Sequence, residues 1–523
     1  MFWYKIRIGN RLLHSWENNP LEIRNIHRHT DSLMEQIYKP SLALLTDLYQ
    51  LTMSYAYWQK GLDDREAVFH LFFRRPPFKG GFTVAAGLEW VVQYLENFRF
   101  EQSDLDYLKS LNLFDDRFFA YLKNLRFTCD IDAVPEGTVV FPYEPLVRVQ
   151  GPLIQCQILE TILLNLINFS TLIATKSARI CIAAQGDPVM EFGLRRAQGI
   201  DGALSASRAA YIGGCDSTSN VLAGKLFGIP VKGTHSHSWV MVFDDELTAF
   251  KTYAECLPGN CVFLVDTYDT LEGVRHAIEV GLWLREKGKK LVGIRLDSGD
   301  LTYLSIKSRA MLDQAGLKET RIVASNELDE NLISELKRQG AQINVWGVGT
   351  NLVTGREQPA LDGVFKLSAI RDVEGKWLYK LKLSEQMVKV SNPGILQVRR
   401  FYSKNENMAD VVYDIHTDLE QSCCVVDPLD PTKQKVLKNG LPSIDLLVPI
   451  FRKGKRVYDL PSLEAIRNHT QGELKRFNVG IKRFINPHQY FVGMEKGLYD
   501  LKVELIKTIR NKTSHAYLFH EET

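Results

Sequence analysis

The sequence predicts an α/β protein built around a barrel of parallel strands, and three observations lead to this fold class. From residue 188 onward, short apolar segments alternate with helical segments at a spacing of roughly thirty residues, which is typical of strands joined by right-handed helical crossovers. Six or seven such units favour a closed or nearly closed barrel over an open sheet. The 523 residues exceed one ordinary domain, so further domains are expected around the barrel.

The first part of the chain lacks this alternation and predicts a mixed α and β domain. Residues 41–60 carry Leu48, Leu51 and Tyr55 at helical spacing. Residues 67–74 form an apolar run that predicts a strand, and a loop rich in proline and glycine follows it. The other elements expected here are helices at 86–98 and 102–112, β structure at 132–150 and a long apolar helix at 153–173.

The barrel region contains short apolar segments that we interpret as its strands. They span residues 188–192, 229–231, 261–265, 291–294, 321–324, 342–346 and 364–367. Helices are expected between them, for example at 271–287 and 329–338. The sequence is then β-rich and charged from 384 to 414, and the last segment combines proline-rich turns with a helix at 461–476.

These patterns divide the chain into five parts. The extension at the N-terminus lacks the apolar core of a signal peptide. The predicted parts are a peripheral extension at 1–40, an N-terminal α/β domain at 41–186, the barrel at 187–370, a β-rich segment at 371–420 that packs on the N-terminal domain, and a C-terminal module at 421–523.

Composition and charge exclude several function classes. The formal net charge of +2 gives no sign of a nucleic-acid-binding surface, although a few local arginines suffice to bind an anionic small molecule. The eight cysteines form no CxxC pair and no zinc-type spacing, and scattered cysteines indicate a reducing, cytoplasmic location. The apolar helix at 153–173 contains Gln155, Glu160 and Asn165, which favours a core helix over a membrane span. We therefore expect neither a nucleic-acid nor a membrane partner.

Polar residues follow most of the predicted barrel strands. Since the carboxyl ends of parallel strands meet at one mouth, these residues are expected to converge. Arginine suits a carboxylate or phosphate ligand, carboxylates suit Mg²⁺ or sugar hydroxyls, and a Gly-x-Gly-Thr loop at 347–350 lets backbone N–H groups approach a phosphate. The residues concerned are Arg195, Arg196, Asp266, Arg295, Asp297, Asp300 and Thr350.

Each of these signals also has a purely structural explanation. Gly-x-Gly-Thr is a common turn, and Arg195 and Arg196 can form a surface pair. The segment 297–300 can be a turn followed by a helix N-cap, and residues 216–220 fit capping as well as ligand binding. A site is indicated because several such loops, each with polar residues suited to chemistry, are expected at the same end of the barrel.

Two histidines lie in the loop after the predicted strand at 229–231. Imidazole can act as a base, a nucleophile or a phosphate carrier near neutral pH. His235 and His237 alternate in an extended loop rich in glycine and serine, so only one of them is expected to face the barrel mouth.

Long sequence blocks, rather than single motifs, point to one family. The blocks span residues 46–53, 72–74, 77–82, 86–89, 168–172, 174–176, 192–199, 218–224, 233–239, 295–300 and 358–360. In these blocks the chain resembles the nicotinate phosphoribosyltransferase family. The resemblance extends from Thr46 to about Tyr402 and on into the C-terminal module. Ser236 and Asp362 depart from the residues usual in that family, and neither departure removes a reacting group.

The resemblance implies a type II phosphoribosyltransferase fold, which is an N-terminal α/β sandwich-like domain on an irregular α/β barrel, and a homodimer. It implies a ligase-type, ATP-hydrolysing enzyme that makes nicotinate mononucleotide and diphosphate from nicotinate and 5-phosphoribosyl 1-diphosphate. This reaction opens the route from nicotinate to NAD. Mg²⁺ or Mn²⁺ is the implied cofactor and ATP the co-substrate.

The resemblance also assigns roles to particular residues. His237 matches the family's phosphorylated histidine, whereas His235 lies at a variable position. Tyr49 would come from the partner subunit, and Asp297 is the candidate for ribose or metal contact. The substrate contacts implied in this way are Tyr49, Thr234, Arg196, Arg295, Asp297 and Thr350.

Three alternatives stay open at this point. A related transferase could use nicotinamide or quinolinate, although quinolinate needs further basic groups for its second carboxylate. A barrel aldolase or isomerase would need a Schiff-base lysine or paired carboxylic acids at a strand end, and neither stands out. A nucleotide-binding regulator would bind ligands without forming product.

Overall fold

The computed structural model describes residues 41–386, 389–419, 423–438 and 440–518, and for residues 512–518 it describes only the helix backbone. The predicted extension at 1–40 lies outside these residues. Three larger β-sheets and the helices packed on them form the described chain. The most apolar side chains gather in two large cores, one behind the first sheet and one in and around the barrel.

The first sheet is antiparallel and combines distant parts of the sequence. Its strands, in spatial order, are β13 (Trp377–Tyr379), β12 (Val364–Arg371), β1 (Glu66–Phe72), β5 (Val147–Pro152), β3 (Asp130–Ala133), β19 (Val448–Arg452) and β20 (Lys455–Arg456). A separate two-stranded sheet is formed by β2 (Thr83–Val84) and β4 (Val139–Val140), which come from the same region of the sequence as β1, β3 and β5. The β structure predicted at 132–150 is thus confirmed as three short strands.

One strand was assigned to the wrong sheet by the sequence analysis. Residues 364–367 were expected to close the barrel, but β12 pairs antiparallel with β1 along Ala67–Phe72. The prediction was wrong because a short apolar strand carries no local signal of its partner. Strand β12 continues to Arg371, and its other side pairs with β13.

The second sheet is parallel throughout and forms the barrel. Its strands, in spatial order, are β7 (Ser217–Thr218), β6 (Val189–Glu191), β11 (Val345–Val348), β10 (Arg321–Ala324), β9 (Gly293–Leu296) and β8 (Val262–Leu264). The strands predicted around 188–192, 261–265, 291–294, 321–324 and 342–346 are confirmed, with shifts of a few residues at their ends.

The predicted strand at 229–231 is instead part of the loop that spans the open side of the barrel. Val231 forms a single parallel bridge with Thr218, and Pro230 has no N–H with which to continue a ladder. Further along, the ring of His235 accepts a hydrogen bond from the backbone N–H of Leu264 in β8. The loop therefore connects both edge strands, and the barrel is nearly closed, as expected.

The third sheet crosses the boundary predicted at residue 420. Its strands, in spatial order, are β17 (Gln434–Leu437), β16 (Cys423–Val426), β21 (Val492–Glu495), β15 (Glu406–Asp414), β14 (Leu396–Ser403) and β18 (Ser443–Asp445). Strands from 371–420 and from 421–523 therefore share one sheet. Because β19 belongs to the first sheet, the C-terminal part is interwoven with the rest of the fold.

Helices cover the sheets and connect the barrel strands. They are α1 (Leu48–Gln59), α2 (Leu88–Glu96), α3 (Gln102–Ser110), α4 (Asp116–Asn124), α5 (Leu153–Ile158), α6 (Glu160–Ala184), α7 (Gly199–Gly213), α8 (Val221–Phe227), α9 (His237–Met241), α10 (Glu246–Cys256), α11 (Thr270–Glu286), α12 (Leu301–Gln314), α13 (Glu330–Arg338), α14 (Thr350–Val353), α15 (Leu463–Lys475) and α16 (Lys496–Leu518).

The long apolar stretch α5–α6 is a core element. Among the described residues, Leu153–Ala184 is the one helical stretch that is long and apolar enough to cross a membrane, judged by length and composition alone. However, 61% of its most apolar 18-residue segment is buried inside the protein. Lys176 and Arg179 near its end both contact the buried Glu330 carboxylate at 2.7 Å. A buried ion cluster against α13 fits a helix packed inside the protein.

Candidate active site

The parallel register of the barrel brings the carboxyl ends of its strands to one edge. Leu264 of β8 pairs with Arg295, and Ala324 of β10 pairs with both Leu296 and Trp346. The loops that follow these strands therefore form a common mouth.

His237 reaches this mouth from the loop that spans the open side of the barrel. It is the first residue of α9, and its Nδ1 atom lies 3.2 Å from the Thr267 hydroxyl oxygen after β8. Its Nε2 atom lies 3.8 Å from a carboxylate oxygen of Asp297. The side chain is 40% exposed, so its imidazole is open to a ligand from solvent.

His235 has a different environment and a structural role. Its Nε2 atom accepts the Leu264 N–H at 3.3 Å, and its Nδ1 atom lies 3.3 Å from the Ser236 carbonyl oxygen. The ring packs among Phe250 and Tyr253. Burial lowers the pKa of His235 to about 4, so the ring is neutral at physiological pH. This matches the expectation that only one of the two histidines faces the mouth.

Arg295, at the end of β9, contacts three neighbouring loops. Its Nε donates to the Ser325 hydroxyl at 2.8 Å, one terminal nitrogen to the Thr234 hydroxyl at 3.0 Å, and the other to Asp297 at 2.7 Å. The guanidinium carbon also lies 5.8 Å from the ring centre of Phe192 at the end of β6. A planar cation fixed from several sides is a suitable receptor for a carboxylate or phosphate.

Asp297 connects this arginine to the histidine. One of its oxygens accepts from Arg295 and from the Ser325 hydroxyl, and the other faces His237. Burial alone would raise the pKa of Asp297, but the charge of Arg295 and these hydrogen bonds outweigh it and hold the pKa below its usual value. The residue is therefore an anion at neutral pH.

Asp266 completes the carboxylate pair at the mouth. One of its oxygens accepts from the Asp297 backbone N–H at 3.0 Å and from the Ser298 hydroxyl at 2.6 Å. The other oxygen is buried and has no hydrogen-bond partner within the described ranges. No cluster of three or more His, Cys, Asp or Glu in that part of the chain could hold a metal by itself. A divalent ion would thus need phosphate or water oxygens besides these two carboxylates, which is how proteins usually bind Mg²⁺.

The Gly-x-Gly-Thr segment begins with the last two residues of β11 and continues to the start of α14 at the same mouth. A side chain at Gly347 would place its Cβ 2.8 Å from the Phe192 ring, and one at Gly349 would lie 3.2 Å from the Phe192 carbonyl oxygen. Close packing against Phe192 thus explains a glycine at both positions, so their presence alone is no proof of phosphate binding. Thr350 follows as the first residue of α14.

Two predicted site residues form no hydrogen bond or ion pair with this cluster in the described chain. Arg196 is exposed in a short 3-10 helix after β6. Tyr49 is 46% exposed on α1 and lines a separate cavity of about 350 Å³ with Asn168 and Pro359. Neither His237, Arg295 nor Asp297 lines that cavity.

Other predicted contacts turn out to be structural. Asn220 caps α8 and Asp300 caps α12, and each side chain accepts a hydrogen bond from a backbone N–H of its helix. Capping therefore explains the polar residues at the ends of segments 216–220 and 297–300. The sequence analysis gave no role to Ser325, Thr267 or Phe192. Ser325 directly follows a predicted strand and Thr267 is the second residue after one, and that position was the available signal.

Family comparisons agree with the architecture. The N-terminal domain of the nicotinate phosphoribosyltransferase family matches residues 44–168, its central family domain matches residues 188–382, and its C-terminal domain matches residues 396–502. Together these matches cover most of the chain.

Individual relatives give the same result. The chain is 43% identical to the nicotinate phosphoribosyltransferase of Bacillus subtilis over 90% of this chain and 96% of that protein. It is 35% identical to the human nicotinate phosphoribosyltransferase over 88% of this chain and 95% of that protein.

Solved structures extend the likeness to three dimensions. The crystal structure of human nicotinic acid phosphoribosyltransferase matches with a TM-score of 0.76 and 32% identity, over 88% of this chain and 99% of that one. A nicotinate-nucleotide pyrophosphorylase from Pyrococcus furiosus matches in fold with a TM-score of 0.65 and 24% identity, over 86% of this chain and 99% of that one. The fold is the type II phosphoribosyltransferase fold, and the chain belongs to the nicotinate phosphoribosyltransferase family.

Proposed function

We propose that this protein is an ATP-dependent nicotinate phosphoribosyltransferase that catalyses the first step of NAD synthesis from nicotinate. It would join nicotinate to 5-phosphoribosyl 1-diphosphate, release diphosphate and hydrolyse ATP. The activity for which its relatives are named, nicotinate phosphoribosyl transfer, supports the transferase part of this proposal. The observation that carries it is the fixed Arg295 cation at the barrel mouth, joined through Asp297 to the exposed His237.

The substrates of this reaction are anions, and the mouth offers suitable receptors. Arg295 would pair with the nicotinate carboxylate, with the Thr234 hydroxyl beside it. Thr350 and the exposed Arg196 would contact the phosphoribosyl diphosphate. Tyr49 lies outside the cluster within one chain, so it would stack on the pyridine ring from a second copy in a homodimer.

In the transfer step, the pyridine nitrogen supplies the electron pair for the new bond to C1 of the ribose. The bond from C1 to the diphosphate oxygen breaks, and its electron pair leaves with diphosphate. Asp297 and Asp266 would stabilise the positive charge that develops on the ribose or bind its hydroxyls. A bound Mg²⁺ or Mn²⁺ would neutralise charge on the departing diphosphate.

ATP would act through His237. With Nδ1–H donating to Thr267, the Nε2 lone pair is free to attack the terminal phosphorus of ATP, and ADP leaves. Water later cleaves the phosphorus–nitrogen bond and releases phosphate. The phosphorylated ring adds negative charge beside Asp297 and Arg295, so its formation and loss would change the affinity of the mouth for substrate and product.

We also propose that the reaction takes place in the cytoplasm. The cysteines that the structure describes are all free thiols, which fits a reducing compartment such as the cytoplasm. A formal net charge of +2 gives no reason to expect a nucleic-acid partner, and the buried α5–α6 stretch gives none to expect a membrane partner.

The proposal is tested by product formation. The purified protein is incubated with phosphoribosyl diphosphate, Mg²⁺ and either nicotinate, nicotinamide or quinolinate, with and without ATP, and mononucleotides are separated by chromatography. We expect nicotinate mononucleotide in the nicotinate reaction, formed faster with ATP. A faster reaction with nicotinamide or quinolinate would assign the protein to a related transferase activity instead.

A further inference from the structure

Ser325 closes a ring of hydrogen bonds around the edge of Arg295. It directly follows β10 and is buried, with 4% of its surface exposed. Its hydroxyl oxygen accepts from Arg295 Nε at 2.8 Å, and its proton goes to the Asp297 oxygen that also accepts from Arg295. One hydroxyl therefore holds the cation and the carboxylate in a single arrangement.

This arrangement determines which edge of the guanidinium remains available. Arginine has five N–H groups. Ser325 and Asp297 take the edge formed by Nε and one terminal nitrogen, and Thr234 takes one N–H of the other terminal nitrogen. At least one N–H remains on each terminal nitrogen. When Thr234 accepts the N–H that points away from the other terminal nitrogen, the two remaining N–H groups are parallel donors, the pattern that matches the two oxygens of a carboxylate.

The backbone that carries Ser325 is held in an unusual conformation. The next two residues, Asn326 and Glu327, have φ angles of 92° and 44°, in the left-handed region that side chains other than glycine rarely adopt. The buried Asn351 donates to the carbonyl oxygens of Glu327 at 2.7 Å and Leu328 at 3.1 Å. Asn351 is the second residue of α14, so the helix that follows the predicted phosphate-binding loop stabilises the turn that places Ser325.

We propose that Ser325 is a positioning residue that sets the preference for a pyridine carboxylate over a pyridine carboxamide. A carboxylate offers two acceptors to the paired N–H groups of Arg295. A carboxamide offers one acceptor and one NH₂ donor, which opposes an N–H of the arginine. Without the Ser325 hydroxyl, Arg295 Nε loses its partner, and the guanidinium keeps only its bonds to Asp297 and Thr234. The paired edge is then held less firmly in place. This inference rests on the proposed nicotinate activity.

The test compares nicotinate with nicotinamide in Ser325→Ala, with KM and kcat measured for each substrate. The lost bond joins a neutral hydroxyl to charged groups, so we expect KM for nicotinate to rise on the order of tenfold. The reaction with nicotinamide should change little. The ratio of the two kcat/KM values would then fall on the order of tenfold, which a general loss of active protein does not produce.

Two further variants separate positioning from folding. Ser308→Ala removes another fully buried hydroxyl, on α12, which has no partner in the described structure, and it should keep the wild-type ratio. Ser325→Cys nearly keeps the side-chain size but offers only a weak donor and acceptor, so it should also lower the ratio if Ser325→Ala does not fold.

The results distinguish this inference from the proposed function. If wild type makes no nicotinate mononucleotide, the proposed function fails, and this inference fails with it. If wild type is active but the folded Ser325 variants keep its nicotinate KM and its substrate ratio, Ser325 does not set the preference. An equal loss on both substrates would also contradict the inference.

Discussion

The Nε2 atom of His237 lies 3.8 Å from one oxygen of Asp297, while the other oxygen of Asp297 accepts a hydrogen bond from Arg295 at 2.7 Å. A single carboxylate thus lies between the predicted phosphate carrier and the predicted substrate receptor. A change of charge on the histidine would act directly on Asp297 and, through it, on the arginine. This contact offers a short physical route from ATP hydrolysis to substrate binding.

The cavity that contains Tyr49 leads to a prediction about shared active sites. If Tyr49 acts in the mouth of a second copy, Tyr49→Ala and Arg295→Ala damage different halves of one site. Co-expression of these two inactive variants should restore activity to about a quarter of wild type, because about half of the dimers are mixed and each has one intact site. Activity would be measured as the rate of nicotinate mononucleotide formation per amount of purified protein. Failure of the mixture to recover would show that Tyr49 acts within its own chain.

The buried Glu330 should contribute strongly to stability. Burial would raise its pKa, but the charges of Lys176 and Arg179 outweigh that effect and hold the pKa below its usual value. Glu330→Gln leaves both cations buried without an anion, so the free energy of unfolding in urea should fall by about 3–5 kcal/mol. The contribution of Glu330 should be complete above its unfolded pKa of about 4.3 and decline as the pH falls through the lower folded value.

A control for this variant lies on the same helix. Glu335 pairs with Arg338 at the surface of α13, where solvent screens the pair, so Glu335→Gln should leave the free energy of unfolding nearly unchanged. Equal losses in the two variants would refute the importance of the buried cluster.

His235 should make stability depend on pH. Its pKa is about 4 in the folded protein and about 6.5 in the unfolded chain, so the unfolded state binds a proton more readily. Its stabilising contribution is therefore complete above pH 6.5 and declines as the pH falls toward 4, by up to about 3 kcal/mol. Urea unfolding across this range should show a smaller decline in His235→Gln. The exposed His488→Gln serves as the control and should keep the wild-type profile.

Gly347 should be needed for the position of Phe192 under Arg295. A methyl group at this position would lie 2.8 Å from the ring, which must then move. We expect Gly347→Ala to lower the free energy of unfolding by about 1–3 kcal/mol and to raise KM for nicotinate. Gly472→Ala on α15, where the added Cβ has nothing within 4 Å, should be neutral or slightly stabilising. A wild-type KM in Gly347→Ala would show that the Phe192 ring does not support the arginine.

Local patterns were sufficient to predict much of the barrel. The strand at 321–324 lies at its predicted bounds, because its apolar run is flanked by clear turn and helix signals. The order of polar residues after the strands also predicted that Arg295 and Asp297 lie near the histidine loop. These features depend on the parallel register, which follows from the repeated strand and helix units.

Features that depend on distant partners were not predictable in this way. Residues 364–367 have the apolar pattern of a barrel strand, but their partner is β1, some three hundred residues earlier in the chain. The need for Gly347 arises from the ring of Phe192, and the role of Ser325 arises from contacts with another loop. No spacing rule within one segment predicts such contacts.

The central claim is that His237 links ATP hydrolysis to the formation of the glycosidic bond. The most direct test measures the rate of nicotinate mononucleotide formation with and without ATP in wild type and in His237→Ala, together with acid-labile, base-stable phosphate on the protein. We predict that ATP stimulates wild type and leaves phosphate on it, and that His237→Ala keeps only the ATP-independent rate and carries no phosphate. Stimulation by ATP that persists in His237→Ala would contradict the account.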